Sequence, residues 1–206
     1  MSGRWLQERR RDPYHRLAKS EGMRSRAAYK LLQMSAKYGI LSEGDVVLDL
    51  GCAPGGWLQA ARKLVGPSGY VLGVDVVPVR DLGFQNVHVM VGDITEPSIS
   101  SRILETLPRR ADVVLCDASP KFCGVEEVDR LRQLELAKRA LEISSDVLRD
   151  GGAAVIKVMQ SEELLDFRRS MADRFEKVRL SKPQASRSGS SEMYLLGRGF
   201  KKPRAS

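Results

Sequence analysis

Short apolar runs alternate with amphipathic stretches along most of this chain of 206 residues. Five runs are rich in β-branched residues: DVVLDL, GYVLGVD, NVHVMVGD, ADVVLCD and GGAAVIKVM, at residues 45–50, 69–75, 86–93, 111–117 and 151–159. Such nearly continuous apolar runs are typical of parallel strands buried on both faces. Helical periodicity lies between them, most clearly at Val128–Leu148 and Glu162–Phe175. The alternation predicts a doubly wound α/β sheet.

Two further strands are predicted near the C-terminus, FEKVRL at Phe175–Leu180 and EMYLLGRGF at Glu192–Phe200. The polar loop between them holds no helix, so a parallel crossover is difficult and an antiparallel hairpin is expected. The prediction is therefore a mostly parallel seven-stranded sheet with an antiparallel C-terminal hairpin strand and helices on both faces. Near the other end, a helix is predicted to begin at a capping Ser25. Its inward face holds Ala28, Leu31, Leu32 and Ser35.

The stretch DLGCAPGGW, Asp49–Trp57, follows an apolar run and leads into a predicted helix. Gly51, Gly55 and Gly56 allow backbone angles closed to other residues and a close approach of a ligand to free N–H groups. Their G-x-x-x-G-G spacing matches neither the G-x-G-x-x-G dinucleotide fingerprint nor the phosphate loop that ends in Lys-Ser/Thr. The spacing favours an adenosine ligand without a phosphate chain, for which S-adenosylmethionine is the candidate.

Acidic residues end four of the predicted strands: Asp49, Asp75, Asp93 and Asp117. The carboxyl ends of parallel strands lie along one edge of a sheet, where ligands bind near the switch in strand order. Asp75 comes about 20 residues after the glycine turn, where a carboxylate can accept both ribose hydroxyls. Asp93 is placed to accept the adenine amino group. Each acid taken singly also fits a helix cap or a solvated turn.

Lys157 lies within an apolar run, where a lysine would lose its hydration unless it is paired. Glu192 and Asp117 are predicted partners at the same edge of the sheet, and Lys30 on the N-terminal helix adds a second cation. The alternative is a lysine at the rim whose ammonium group reaches solvent.

Charge is concentrated at the two ends of the chain, although the net charge is only +8. Residues 1–40 hold ten Lys/Arg against three Asp/Glu, residues 179–206 hold seven against one, and the middle is slightly acidic. This distribution favours a polyanionic partner, and RNA is expected. The alternative is a pair of solvated, partly disordered tails, but the aromatic residues Trp5, Tyr14, Tyr29 and Phe200 in these segments favour a surface that packs and binds. The predicted phosphate contacts are Arg24, Arg26, Lys182 and Arg187.

The chain length favours one domain over residues 1–206, with a basic, flexible arm at 1–20 and a tail at 202–206. The sequence shows neither a membrane-spanning run nor a signal peptide, so a cytoplasmic protein is expected, working as a monomer without a protein partner. Three cysteines and two histidines have no metal-ligand spacing, so no metal site is expected.

Seven motifs occur in an order that resembles the FtsJ-type ribosomal RNA large-subunit 2′-O-ribose methyltransferase family. The resemblance extends from about Tyr14 to Lys201. It implies a Rossmann-like S-adenosylmethionine-dependent methyltransferase fold and methyl transfer to a uridine ribose in the peptidyl-transferase region of 23S rRNA. The motifs are SRAAYKL (Ser25–Leu31), DLGCAPGGW (Asp49–Trp57), GVDVVP (Gly73–Pro78), GDIT (Gly92–Thr95), CDASP (Cys116–Pro120), VIKV (Val155–Val158) and KPQASRSGSSEMY (Lys182–Tyr194).

By this resemblance the catalytic quartet consists of Lys30, Asp117, Lys157 and Glu192. The implied cofactor contacts are Gly55, Trp57, Asp75, Asp93 and Asp117. One segment departs from the family pattern, because Lys121-Phe122-Cys123 replaces its usual Asn and Ser before the retained Gly124. The difference concerns substrate contacts and leaves the cofactor motifs intact.

Four other functions are alternatives at this level. A 2′-O-methyltransferase acting on tRNA has the same site motifs. An NAD-dependent oxidoreductase would use Asp75 similarly, but the glycine spacing and the missing Tyr-x-x-x-Lys pattern disfavour it. A non-catalytic RNA-binding module would need a damaged quartet. A base methyltransferase usually carries an Asn/Asp-Pro-Pro-Tyr-like strand end or a catalytic cysteine, and CDASP provides neither.

Overall fold

The predicted apolar runs form the strands of one seven-stranded sheet in a computed structural model, which describes residues 12–187 and 189–202. The sheet order is β3-β2-β1-β4-β5-β7-β6. The strands are β1 (Val46–Leu50), β2 (Tyr70–Asp75), β3 (Val87–Val91), β4 (Ala111–Cys116), β5 (Leu148–Met159), β6 (Phe175–Ser181) and β7 (Glu192–Phe200).

Strands β1 to β5 are parallel to one another, and β7 runs antiparallel between β5 and β6. The strand order reverses between β1 and β4, so the crevice expected to hold a ligand lies at their carboxyl ends. The predicted fold class, including the C-terminal hairpin, is confirmed. The hairpin brings the first residues of β7 beside the carboxyl end of β5, at the crevice.

Helices cover both faces of the sheet, and each face has its own apolar cluster. Helices α2 and α3 pack on one face, and α4, α5 and α6 pack on the other. None of the helices in the described ranges combines the length and the apolar content needed to cross a membrane. The helices are α1 (Pro13–Ser20), α2 (Ala28–Tyr38), α3 (Gly56–Val65), α4 (Ile99–Thr106), α5 (Glu126–Val147) and α6 (Leu164–Arg174).

The prediction of a loosely ordered arm at residues 1–20 is wrong for its second half, and residues 1–11 lie outside the described ranges. Asp12 caps α1 by accepting the N–H groups of Tyr14 and His15, and Pro13 occupies the first turn. An Asp-Pro pair is a recognised helix start, since proline lacks the N–H that would go unpaired there. The basic composition of residues 1–20 favoured an arm, although the Asp12-Pro13 pair indicates a helix start. Of the predicted tail at 202–206, only Lys202 is described.

Helix α2 begins two residues later than predicted, with Ala27 and not Ser25 at the cap position. Residues 25–28 form a turn in which the Ala28 N–H donates to the Ser25 carbonyl at 3.3 Å. The Ser25 side chain instead faces the glycine turn, where a Cβ on Gly56 would lie 2.1 Å from its hydroxyl oxygen. The start of α2 is thus fixed by packing against α3.

A buried carboxylate at the start of β4 joins three segments at the end of the sheet opposite the crevice. Asp112 accepts the Val46 N–H at 2.7 Å and pairs with Arg109 and Arg149. Burial raises the pKa of Asp112, but the Arg149 hydrogen bond, the Val46 N–H and Arg109 outweigh it, so the pKa lies below its ordinary value. A carboxyl group with a lowered pKa stabilises the folded state at neutral pH and loses that contribution in acid.

We therefore expect Asp112→Asn to lower the free energy of unfolding by about 1–3 kcal/mol at pH 7, because both ion pairs lose their charge. The difference from the unmodified protein should narrow as the pH falls below about 4, where Asp112 itself becomes protonated. Urea denaturation at the two pH values measures this. Asp166→Asn is the control, since its pair with Arg169 is 79% exposed on both sides and is expected to matter by less than about 0.5 kcal/mol. Equal effects of the two substitutions would contradict the prediction.

Candidate active site

The glycine turn after β1 has a shape that only glycine permits at two positions. Gly51 has φ +77°, and a Cβ there would lie 2.5 Å from the Ala118 Cα atom. Gly55 has φ +107° and stands at the cap of α3. The turn after β1 therefore packs directly on the turn after β4, and Gly55, Gly56 and Trp57 at the start of α3 are buried.

Asp75 holds this turn in place at the end of β2. Its Oδ2 accepts the Ala53 N–H at 2.8 Å, and its Oδ1 accepts the Val77 N–H at 2.9 Å. A carboxylate offers about four acceptor positions, so both oxygens can accept further hydrogen bonds. Asp75 is thus a structural residue of the turn whose carboxylate can still receive ribose hydroxyls.

Asp93 follows β3 and closes a turn of its own. Its Oδ1 accepts the backbone N–H and the hydroxyl of Thr95 at 2.8 and 2.7 Å. These hydrogen bonds lower the pKa of Asp93 against the smaller effect of burial, so the group is a carboxylate at neutral pH. Its Oδ2 makes no hydrogen bond to the described part of the chain and remains an acceptor for a ligand.

The Trp57 side chain points into the protein. It is 3% exposed, its indole N–H donates to the Ala27 carbonyl at 2.7 Å, and its ring lies 5.7 Å from that of Tyr194. The Trp57 side chain thus ties α3 to α2, and its predicted ligand contact stays a prediction.

Asp49 differs from the other three acids, and its predicted place at the strand end is wrong. It lies inside β1, it is 0% exposed, and neither carboxyl oxygen has a hydrogen-bond partner in the described ranges. Burial, followed by the nearby Asp117 and Asp75, raises the pKa of Asp49 well above its ordinary value. The neutral acid is therefore favoured beneath the glycine turn.

Lys157 is buried at the carboxyl end of β5, on the face covered by α2. Its Nζ lies 2.7 Å from the Asp117 carbonyl oxygen and 3.2 Å from Asp117 Oδ1, and it also contacts the Ser119 hydroxyl. The ion pair confirms the predicted pairing with Asp117. The side chain is only 6% exposed, so the alternative of an ammonium group that reaches solvent is wrong.

The predicted pairing of Lys157 with Glu192 is wrong, because the strand register separates them. Glu192 lies opposite Met159, and Tyr194 lies opposite Lys157. Glu192 instead pairs with Lys30 at 2.6 Å.

Tyr194 connects the two ion pairs. Its hydroxyl donates to Asp117 Oδ1 at 2.8 Å and accepts from Lys30 Nζ at 3.1 Å. Tyr194 therefore links the Lys157–Asp117 pair to the Lys30–Glu192 pair, and the sequence analysis did not predict this fifth residue. The two-residue period of a strand places Tyr194 on the face of Glu192, and this signal was available in the motif EMY.

Within this series of connected polar side chains, the two lysines determine whether Asp117 is ionised. Burial raises the pKa of Asp117, but Lys157, Lys30 and the Tyr194 hydroxyl together hold it below its ordinary value. Burial, with Asp117 and Glu192, raises the pKa of Tyr194 well above its ordinary value. At neutral pH Asp117 is thus ionised and Tyr194 remains a hydrogen-bond donor to it.

The chain of polar groups faces a cleft of about 300 Å³ at the carboxyl ends of β4 and β5. Its lining includes Lys30, Lys157, Glu192, the exposed ring of Phe122 and the exposed Arg187. The altered loop at Lys121–Gly124 thus contributes an aromatic side chain to the rim. Among the described residues, no group of His, Cys, Asp and Glu side chains could hold a metal ion.

The four predicted RNA contacts fall into two groups. The Arg24 guanidinium donates to the carbonyl groups of Pro54, Arg80 and Asp81, so it fastens the glycine turn to the loop after β2. The phosphate contacts predicted for Arg24 and Arg26 stay predictions.

Arg26 pairs with Asp12 and donates to the Ala185 carbonyl, which joins α1 to the loop between β6 and β7. Lys182 and Arg187 on that loop are exposed, and Lys182 donates to the Ser190 carbonyl at 2.8 Å. The phosphate contacts stay predictions for these two side chains, whose donors are open to solvent.

The fold is an open doubly wound sheet with a glycine turn at its switch point. Acids lie at the ends of β2 and β3, and a buried lysine lies beside the crevice. Together these features are those of an S-adenosylmethionine-dependent methyltransferase. The chain belongs to the FtsJ-like methyltransferase family, whose pattern matches residues 23–200. The resemblance found in the sequence is thus confirmed.

The relatives that match nearly the whole chain include one from Methanococcus aeolicus and one from Methanothermobacter thermautotrophicus. Both are named ribosomal RNA large subunit methyltransferase E. The protein of Methanococcus aeolicus is 46% identical over 197 residues, which cover 96% of this chain and 73% of that protein. The protein of Methanothermobacter thermautotrophicus is 43% identical over 201 residues, which cover 98% of this chain and 95% of that protein.

Two solved structures share the fold. One from Plasmodium falciparum, described as a ribosomal RNA methyltransferase, has a TM-score of 0.76 at 25% identity and covers 87% of this chain and 100% of that chain. Aeropyrum pernix fibrillarin, solved with bound S-adenosylmethionine, has a TM-score of 0.60 at 19% identity, covers 84% of this chain and 74% of that chain, and shows the fold alone.

We expect Asp75→Ala to weaken S-adenosylmethionine binding about tenfold or more, because it removes two hydrogen bonds to a charged acceptor that hold the glycine turn. Isothermal titration calorimetry with the cofactor measures this. Asp81→Ala is the control, since its side chain accepts only the Gly83 N–H within its own loop. Unchanged cofactor affinity in Asp75→Ala would show that the turn keeps its shape without this carboxylate.

Proposed function

We propose that the protein transfers a methyl group from S-adenosylmethionine to a ribose 2′-hydroxyl of large-subunit ribosomal RNA, at a uridine of the peptidyl-transferase region. The observation that carries this proposal is the continuous polar chain from Lys157 through Asp117, Tyr194 and Lys30 to Glu192, which faces a cleft beside the glycine turn. Two relatives that match nearly the whole chain bear the name of a ribosomal RNA methyltransferase. A tRNA ribose is the second candidate acceptor, since the same site suits it.

The residues at the crevice fit the cofactor. A Cβ on Gly51 would collide with the turn after β4, so the glycine keeps the loop low enough for a ligand to lie over it. Gly56 and Trp57 would offer their backbone N–H groups at the start of α3, where the first N–H groups have no partner within the helix. The Gly55 N–H already donates to the Cys52 carbonyl at 2.7 Å, so Gly55 would contribute only a close approach of the backbone to the ligand. In this proposal the acceptors for ribose and adenine are Asp75 and Asp93, with Asp117 at the methionine side.

The cofactor supplies a methyl group that is electrophilic because it is bound to a sulfonium centre. The protein must hold the 2′-oxygen in line with it, and such positioning can supply roughly 7–11 kcal/mol. Lys157 is placed for this role at the mouth of the cleft. An ammonium group has three N–H donors and no acceptor. In Lys157 it donates to the Asp117 carbonyl and the Ser119 hydroxyl, and it pairs with the Asp117 carboxylate.

In this proposal the acceptor hydroxyl takes the position of the Ser119 hydroxyl. The Ser119 hydroxyl is the one neutral and exposed partner of Lys157, so a 2′-oxygen can replace it without separating the buried ion pair. Lys157 then donates to the 2′-oxygen and directs a lone pair toward the methyl group. The hydroxyl proton leaves late, after the oxygen has bonded to carbon, and water in the open cleft can accept it.

Lys182 and Arg187 are the proposed phosphate contacts beside the cleft. Arg24 and Arg26 also hold the surrounding loops in place, and Arg26 lines the cleft, so both remain proposed phosphate contacts. We further propose that the enzyme works as a cytoplasmic monomer without a protein partner, and light scattering of the purified protein tests the oligomeric state.

Labelled methyl transfer to purified large ribosomal subunits, free rRNA and tRNA tests the function. We expect label in large-subunit RNA as a 2′-O-methyl group on a uridine, located by primer extension at limiting nucleotide. Label in tRNA alone would replace the rRNA proposal with the second candidate. Label on a base would contradict ribose methylation.

We expect Lys157→Met to lower the rate of methyl transfer about 100-fold or more while leaving cofactor affinity unchanged, because methionine keeps the packing and loses the donor. Single-turnover rates and calorimetry measure the two quantities. Lys63→Met, an exposed residue of α3, is the control.

Lys157→Arg keeps the charge beside Asp117 and tests whether a structural loss explains the effect, since it moves the donors away from the 2′-oxygen. It should remain folded in thermal denaturation and still be slow. Parallel losses of cofactor affinity and rate in Lys157→Met would contradict the separation of roles.

A further inference from the structure

A second concave surface lies on the sheet edge, away from the catalytic cleft. This groove of about 520 Å³ is larger than the cleft, and it is formed by the C-terminal end of α2 and by strands β6 and β7. It has no part in the proposed methyl transfer. We call it the edge groove, with Lys37, Lys177, Arg179, Arg198, Tyr38 and Glu176 among its lining residues.

Positive charge dominates the edge groove. Four cations from three elements face one acid, and no carboxylate in the described part of the chain pairs with Lys177 or Arg179. The Tyr38 pKa lies below its ordinary value, first through a hydrogen bond with Ser181 and then through Lys37 and Arg179. An anion in the groove is favoured by the same positive charges.

Two of the groove cations are held by the protein in positions that still face solvent. Arg198 donates to the Tyr38 carbonyl at 2.7 Å through one nitrogen, which leaves other N–H donors of its guanidinium. The Lys37 ammonium lies 5.2 Å from the centre of the Tyr38 ring. The groove thus presents oriented donors, as phosphate oxygens require.

The edge groove and the catalytic cleft lie toward opposite ends of the same two elements, α2 and β7. Lys30 and Lys37 are seven residues apart on α2, which is two helical turns and about 10 Å. Glu192 and Arg198 are six residues apart on β7, about 20 Å along the strand. The loop that carries Lys182 and Arg187 joins β6 to β7 at the cleft end.

We propose that the edge groove binds the phosphate backbone of the substrate RNA at nucleotides beyond the one that is methylated. The inference rests on the proposed RNA substrate and adds a second contact region to it. Lysines on an edge strand also protect sheets from pairing with other chains. Protection alone does not require a concave surface or a cation from helix α2, whereas binding of a backbone uses both.

The test removes two charges from the groove with Lys177→Ala/Arg179→Ala, and the control removes two from the exposed surface of α6 with Arg168→Ala/Arg169→Ala. The probes are an in-vitro transcript of the large-subunit rRNA domain that carries the target and a short hairpin that covers the target nucleotide alone. Fluorescence anisotropy over a range of salt concentrations measures RNA affinity. Kinetics at saturating RNA give the turnover rate.

We expect the groove variant to bind the long transcript about tenfold more weakly than the control variant, with a salt slope reduced by about 1–2, since each lost phosphate contact removes about 0.7–0.9. Binding of the short hairpin, cofactor affinity and turnover at saturating RNA should stay unchanged. These last readouts separate a lost contact from a damaged fold.

Equal affinities of the groove and control variants for the long transcript would overturn the proposal, and increased light scattering by the groove variant would then assign the charges to edge protection. Equal losses on the hairpin and the long transcript would also overturn it, because the groove would then act on the cleft. RNA affinity is measured without turnover, so a failure of the proposed ribose methylation is detected separately by the labelling experiment.

Discussion

The buried pair of Lys157 and Asp117 is the interaction on which the site depends. A lysine at the end of an apolar strand is tolerated only with a partner of opposite charge and further hydrogen bonds. The register of β5 with β7 supplies Tyr194 beside it, and α2 supplies Lys30 from above the sheet. Because each charge is balanced by the next, the arrangement requires the sheet, the hairpin and the N-terminal helix to be present together.

Groups that serve a ligand in this fold also build the protein around it. The Asp75 carboxylate accepts two backbone N–H groups of the surrounding turns, and Asp93 closes its own turn through Thr95. Acceptors that are already fixed cost little entropy when a ligand arrives, which is the benefit of preorganisation. Arg24 contributes in the same way by holding the glycine turn against the loop after β2.

Strand positions, the hairpin and the quartet followed from the sequence, because continuous apolar runs and short motifs are local signals. Features that depend on distant packing did not. The Asp12-Pro13 helix start was obscured by the basic composition around it, and Tyr194 required the register of two strands. The internal roles of Arg24 and Arg26 were out of reach, because their carbonyl partners carry no sequence signature. For Asp49, only burial distinguishes it from the acids at the rim.

The contact of Arg26 with the Ala185 carbonyl joins residues 159 positions apart in the chain. Contacts of such long range form late, since the loop between them must first be closed. During synthesis, Arg26 can contact the Ala185 carbonyl only after nearly all of the chain has left the ribosome. The sheet from β1 to β5 can therefore assemble earlier than the catalytic cleft, and a nascent or C-terminally truncated chain would have a core without a completed site.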